Sequence, residues 1–367
     1  MGNAWNNSER NCVLDNLKII FIFLLFLVES YLATAIQLSS LKNFNVQFPY
    51  AMIEQTRYFP GHMPGIWFDG LIFIMCVNLM ITQFSKLQHN SGNFNYFKYI
   101  FIRWLRISGP LFGSIIFLYL FPLIGDGPLW YQNKRWLIPS CKQCSSLISS
   151  FLYYSNWNPA LNDYKLNDHF AICNFSSWIL SASTQIYLVL PLIFLPLYRY
   201  PKTGIIIIGT ITIFSFLATS FPTWALGHST FMDLQDITAM SPRTYYKKFS
   251  NYYLGTLQYI TPSCIGIITG WLIIKHPQLP IPGGHKTESG LWLLILVISL
   301  TVFYWNDTFW QLETKISQWN ILSWFIISKY VFSLNLGYMV YMTHTGRARK
   351  YLLKIKFYNF FLHNILK

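Results

Sequence analysis

An all-α, polytopic membrane helix bundle is the fold class this sequence predicts, and three observations predict it. Of 367 residues, 53% are apolar and 11% are charged, less than half the roughly 25% charged content of soluble domains. The apolar residues run in blocks of about 20, the length a helix needs to cross a bilayer. Twenty-seven Lys and Arg against 13 Asp and Glu leave a net charge of +14, and a polytopic protein that keeps its basic residues in the cytoplasm accounts for that excess. So apolar a chain is not disordered, and its charge calls for no nucleic acid.

Eight stretches qualify: 17–37, 66–84, 107–124, 177–197, 203–222, 254–274, 289–305 and 320–342. The first follows Asn11-Cys12-Val13-Leu14-Asp15-Asn16. It is too long and too aromatic at its flanks for a signal-peptide core, so it reads as a retained span. The 85–106 connection carries Lys86, Lys98, Arg103 and Arg106, the 198–202 turn carries Arg199 and Lys202, and the 275–288 loop carries Lys275 and Lys286. With eight spans, these fall on one side together with a basic tail at 345–367, and the positive-inside rule makes that side cytoplasmic. Both termini are then cytoplasmic, and the long segments 125–176 and 223–253 face outward. The outer side is oxidising, so a disulfide from Cys141 or Cys144 to Cys173 is expected, whereas Cys76 and Cys264 pack as free thiols within spans. Cys141-Lys142-Gln143-Cys144 is a lone CxxC, and no metal site is expected. With no internal repeat, residues 1–367 read as one membrane domain.

Charge inside a span is expensive and marks candidate function. Glu29 and Lys329 fall deep in the spans, with Lys18 and Asp69 nearer the ends. Lys18 and Glu29 are eleven residues apart, so they share one helix face at about 16 Å separation. Glu29 has two readings: a structural carboxylate paired with Lys329 or neutralised by burial, or a group lining a cavity that reaches the cytoplasm. Arg103 and Arg106, spaced i, i+3, lie about 60° apart on a helix. Two guanidinium forks at an inner membrane boundary suit a phosphate or pyrophosphate, and ordinary membrane anchoring is the alternative. Ser176-Ser177-Trp178 enters the fourth span, but a serine pair without a base is no nucleophile signature.

Taken together, these residues resemble the acyltransferase family 3 integral membrane proteins, in particular the animal branch called nose resistant to fluoxetine. The resemblance is collinear from about residue 10 to about residue 345. It runs through Leu14-Asp15-Asn16-Leu17-Lys18, Asp69, Arg103-Trp104-Leu105-Arg106 and Gly125-Asp126-Gly127-Pro128-Leu129-Trp130. It continues through Ser149 to Asn158 (SSFLYYSNWN), Cys173 to Trp178, Gln185-Ile186-Tyr187-Leu188 with Pro191, and Pro196-Leu197-Tyr198-Arg199.

The resemblance implies a membrane O-acyltransferase that moves an acyl group from acyl-coenzyme A, its co-substrate, to a hydroxyl acceptor: a lipid, a sugar or a small molecule. It implies that Arg103 and Arg106 contact the donor. It assigns Lys18 to the basic position eleven residues before the family's presumed catalytic His, and Asp69 to the acid that opens the second span. The sequence departs at four places. Glu29 stands where the His is expected, Met75-Cys76 where Ser-Gly is expected, Ser176 where a second His is expected, and Ser183 where an acid is expected. The Cys-rich extracellular domain and the last of about ten family spans have no counterpart, which implies a chain truncated at its C-terminus. Burial suits Glu29 to base catalysis by raising a carboxyl toward neutrality. Three readings stay open: an active acyltransferase with Glu29 as base, the same fold without turnover, and a transporter or lipid-handling protein with Glu29 and Lys329 along its pathway.

Overall fold

The structure is a computed structural model that describes residues 14–27, 64–120, 125, 144–157, 177–226, 255–278, 284–307 and 318–345. Among these residues there are helices and no strands. Helix α1 covers 14–27. It is followed by α2 (Pro64–His89), α3 (Tyr96–Leu120), α4 (Cys144–Phe151), α5 (Ser177–Arg199) and α6 (Pro201–Leu226). A short 3-10 turn, Thr256–Tyr259, leads into α7 (Ile260–Lys275), and α8 (Gly284–Asp307) and α9 (Gln318–His344) complete the described helices.

Each of the eight apolar stretches coincides at least in part with a described helix. Five helical segments are long and apolar enough to cross a membrane: Ile66–His89, Tyr96–Phe117, Ser177–Arg199, Pro201–Phe221 and Thr256–Lys275. They mark an integral membrane protein. In α8 the apolar run is shorter, Thr287–Thr301.

Helix α2 is the centre of the bundle. Phe68, Leu71, Ile72, Phe73, Ile74, Val77, Leu79, Met80 and Phe84 are all buried, and a helix that is apolar all round is a helix enclosed by others. Its principal neighbour is α7, where Gly266 and Gly270 make a small-xxx-small face. A Cβ at Gly266 would stand 2.6 Å from the Phe73 carbonyl oxygen and 3.0 Å from Cys76 Cβ. Such close backbone approach holds helices together where lipid removes the hydrophobic drive between them. Helix α1 lies against α2 and α9 through Phe21, whose ring is 6.4 Å from Trp67 and 6.2 Å from Phe332. Apolar side chains are exposed in rows on α3, α6 and α8, among them Phe112, Phe117, Ile206, Phe214, Leu293 and Leu296. That is the composition of a lipid-facing surface.

The third helix differs from expectation. It begins at Tyr96, not at 107, so Arg103 and Arg106 lie within the helix body and not in a connection. The charges interrupt the apolar run in the sequence, but the backbone continues through them.

A polar segment runs on from the end of α4. Residues 149–157 fold back among α3, α5 and the 3-10 turn, with Ser149, Ser150, Ser155 and Asn156 all buried. They reach the level of Gln185, eight residues or about 12 Å along α5. Irregular backbone is tolerated at such depth when protein encloses it. Cys141 and Cys173 lie outside the described residues, as does the side chain of Cys144, so the expected disulfide falls there too. Cys76 and Cys264 are free and buried, as expected.

Candidate functional site

Two polar clusters meet along α5. The first centres on a buried ion pair. Lys329 Nζ donates to both carboxylate oxygens of Asp69, at 3.1 and 3.0 Å, and reaches the Gln258 carbonyl at 3.5 Å. The ammonium also sits 4.8 Å from the centre of the Tyr259 ring. Asp69 is fully buried and Lys329 is 6% exposed. Lys329 thus has Asp69 as a partner, and Glu29, the partner the sequence suggested, lies outside the described residues. Asp69 lies wholly inside the bundle. The pairing joins residues 260 apart in sequence, so no local spacing signals it.

Aromatic rings carry the cluster across to α5. Phe68, the neighbour of Asp69, packs edge-on to Trp178 at 4.9 Å and to Tyr259 at 4.5 Å. Beyond Trp178 lie the hydroxyls. Ser155 Oγ is 3.1 Å from Ser177 Oγ and 2.8 Å from Ser181 Oγ. Gln185, one more turn along the same face, ties the inserted segment down. Its amide nitrogen donates to the Tyr153 carbonyl at 2.7 Å and to Asn156 Oδ1 at 2.9 Å. Its amide oxygen accepts from Trp157 Nε1 at 2.9 Å and from the Thr256 hydroxyl. Asn156 Nδ2 closes the ring by donating to Thr256 Oγ1 at 2.8 Å. Both donors and both lone pairs of the Gln185 amide are thereby used. Tyr153 holds a left-handed backbone, φ 57°, which is rare for a bulky residue and persists when its surroundings fix it. Its hydroxyl is 3.0 Å from Ser108 Oγ on α3.

The second cluster belongs to α3 and α5. The Arg103 guanidinium lies over the Tyr187 ring, 3.8 Å from its centre, and 5.3 Å from the centre of Tyr99. Tyr187 and Tyr99 are buried. Arg106 is exposed and within electrostatic reach of Tyr187. The two arginines have different surroundings. One is turned into the helix interface and held by rings, and the other is open.

Of the remaining sequence-derived positions, Lys18 is half-buried on α1, about 40° around the helix from the buried Leu14. Glu29 lies outside the described residues. Gln258, Tyr259, Thr256 and Tyr99 are contributors that the sequence reading missed. They carry no motif, and their positions are set by chain reversals far from the residues they touch.

Chemically, the first cluster offers hydroxyls and amides around a fixed ion pair. The second offers cationic N–H donors beside aromatic faces, which suits a phosphate-bearing ligand. No group of three or more His, Cys, Asp or Glu able to hold a metal occurs among the described residues. No family model, curated protein or solved structure matches the chain.

Proposed function

We propose that this protein is a membrane-bound O-acyltransferase of eight spans with both termini in the cytoplasm, taking its acyl group from acyl-coenzyme A. The observation that supports the reading is convergence. The segments carrying the family resemblance are scattered along the sequence, yet Asp69, residues 149–157, Ser177-Trp178 and Gln185 lie in one buried polar assembly. Arg103 of the Arg-x-x-Arg motif meets Tyr187 on the same helix α5. A shared ancestry of sites accounts for that convergence more simply than five unrelated packing coincidences do.

In this reading Arg103 and Arg106 hold phosphates of the donor, with Lys18 as a further cation toward the cytoplasm. The acceptor hydroxyl oxygen attacks the thioester carbonyl. Its proton passes to the Glu29 carboxylate, the C–S bond breaks, and the departing coenzyme A thiolate takes the proton back. Asp69 has both oxygens engaged by Lys329, so its part is to fix α2 against α9 and not to act as the base.

A second reading, the same fold binding donor without turnover, draws on a separate observation. The described hydroxyls of Ser155, Ser177 and Ser181 bond one another, with no histidine among them to activate a nucleophile. The test is release of free coenzyme A thiol from acetyl-coenzyme A by nanodisc-reconstituted protein supplied with a membrane lipid extract. Turnover that disappears in Glu29→Gln is expected. Binding without release in any acceptor mixture selects the second reading, and retained turnover in Glu29→Gln overturns the assignment of the base.

A further inference from the structure

We propose that Tyr187 is a positioning residue of the donor site, with Tyr99 as a second wall: its ring fixes the plane of the Arg103 guanidinium so that the N–H edge faces a phosphate of the donor. The inference rests on the donor reading given above and specifies how that site is built.

A guanidinium is a flat group with five N–H donors radiating in its plane. A carboxylate partner would occupy that edge. An aromatic ring over the face leaves it free and contributes cation–π attraction as well. The guanidinium carbon of Arg103 stands 3.8 Å from the Tyr187 ring centre. Among the described residues Asp69 pairs with Lys329, and no described carboxylate is shown paired with Arg103. Tyr187 is 7% exposed and Tyr99 8%, so neither ring is free to swing away. The anchor is thus rigid on the α5 side, while Arg103 itself remains half-buried and reachable. Arg106, one turn further along α3 and exposed, adds charge without a fixed plane. The pair divides into one oriented fork and one adaptable cation, which is an asymmetry the i, i+3 spacing does not reveal.

A ring serving simply to glue α3 to α5 would make the same contact, so the test must separate packing from positioning. Acetyl-coenzyme A is titrated calorimetrically into nanodisc-held wild type, Tyr187→Phe, Tyr187→Leu and Arg103→Lys, with thermal unfolding followed in parallel. Tyr187→Phe keeps the ring and is expected to bind within about twofold of wild type. Tyr187→Leu and Arg103→Lys are expected to bind roughly tenfold more weakly. A folded Tyr187→Leu that binds as wild type does, whether or not its unfolding midpoint drops, overturns the proposal. If Tyr187→Leu does not fold, Arg103→Lys decides, because Lys keeps the charge and loses the planar edge; undiminished affinity there overturns it equally. Wild-type protein that takes up no acetyl-coenzyme A is a different result. It removes the donor reading itself, and this inference with it.

Discussion

Lys329→Met leaves the Asp69 carboxylate fully buried and without its cation. The pair is bidentate at 3.0 and 3.1 Å, so the ammonium is the main counter-charge the carboxylate has. Removing one member of a buried pair costs about 3–5 kcal/mol, because the remaining charge is stranded in a medium of low polarity. The Lys329 contacts to the Gln258 carbonyl and the Tyr259 ring go as well, which places the expected loss toward the upper end. Against a total stability on the order of 5–15 kcal/mol, that is a large fraction. Replacing both partners, Asp69→Leu with Lys329→Met, removes the stranded charge and is expected to restore most of the loss. The assay is a double-mutant cycle: denaturant unfolding in mixed micelles, read by tryptophan fluorescence, for wild type, each single variant and the double. Strong coupling is expected between the two sites. Single losses below about 1 kcal/mol, or losses that simply add, would refute the argument that this pair organises the core.

Three further outcomes follow from the same geometry. Gln185→Leu strips partners from Trp157, Tyr153, Asn156 and Thr256, and each group left unsatisfied costs about 1–3 kcal/mol; a membrane-impermeant maleimide should then label Ser155→Cys in the Gln185→Leu background and not in the native one. Gly266→Val meets the Phe73 carbonyl and Cys76 and should destabilise by about 1–3 kcal/mol, whereas Gly209→Ala, with nothing within 4 Å, should not; unfolding midpoints of the two compare them directly. Arg106→Gln should weaken acetyl-coenzyme A binding and flatten its dependence on salt, since an exposed cation acts through screened attraction; an unchanged salt slope on titration would remove Arg106 from the donor site.

The apolar blocks made the helices legible, because a span needs a continuous run and the sequence supplies it. Helix α3 shows the limit of that signal. Arg103 and Arg106 lower the apolar density before residue 107, and composition cannot register that two tyrosine rings cover one of those charges. The inserted segment shows another limit. Ser155 and Asn156 read as loop residues, yet they are buried because α5 and the 3-10 turn supply hydrogen-bond partners that lie distant in sequence. Charge within the spans identified Lys329 and Asp69 as residues of interest, but the partner of Lys329 is 260 positions away, beyond any periodicity. The motif positions around α5, by contrast, were legible as a set, and the structure brings several of them together.

The most direct measurement is calorimetric titration of acetyl-coenzyme A into the nanodisc-reconstituted protein beside Arg103→Ala/Arg106→Ala. Saturable binding in the native protein that vanishes in the double variant is the predicted result. A well-folded native protein that binds no acetyl-coenzyme A, or a double variant that binds it equally well, would contradict the proposal that this bundle holds an acyl donor at the arginines of α3.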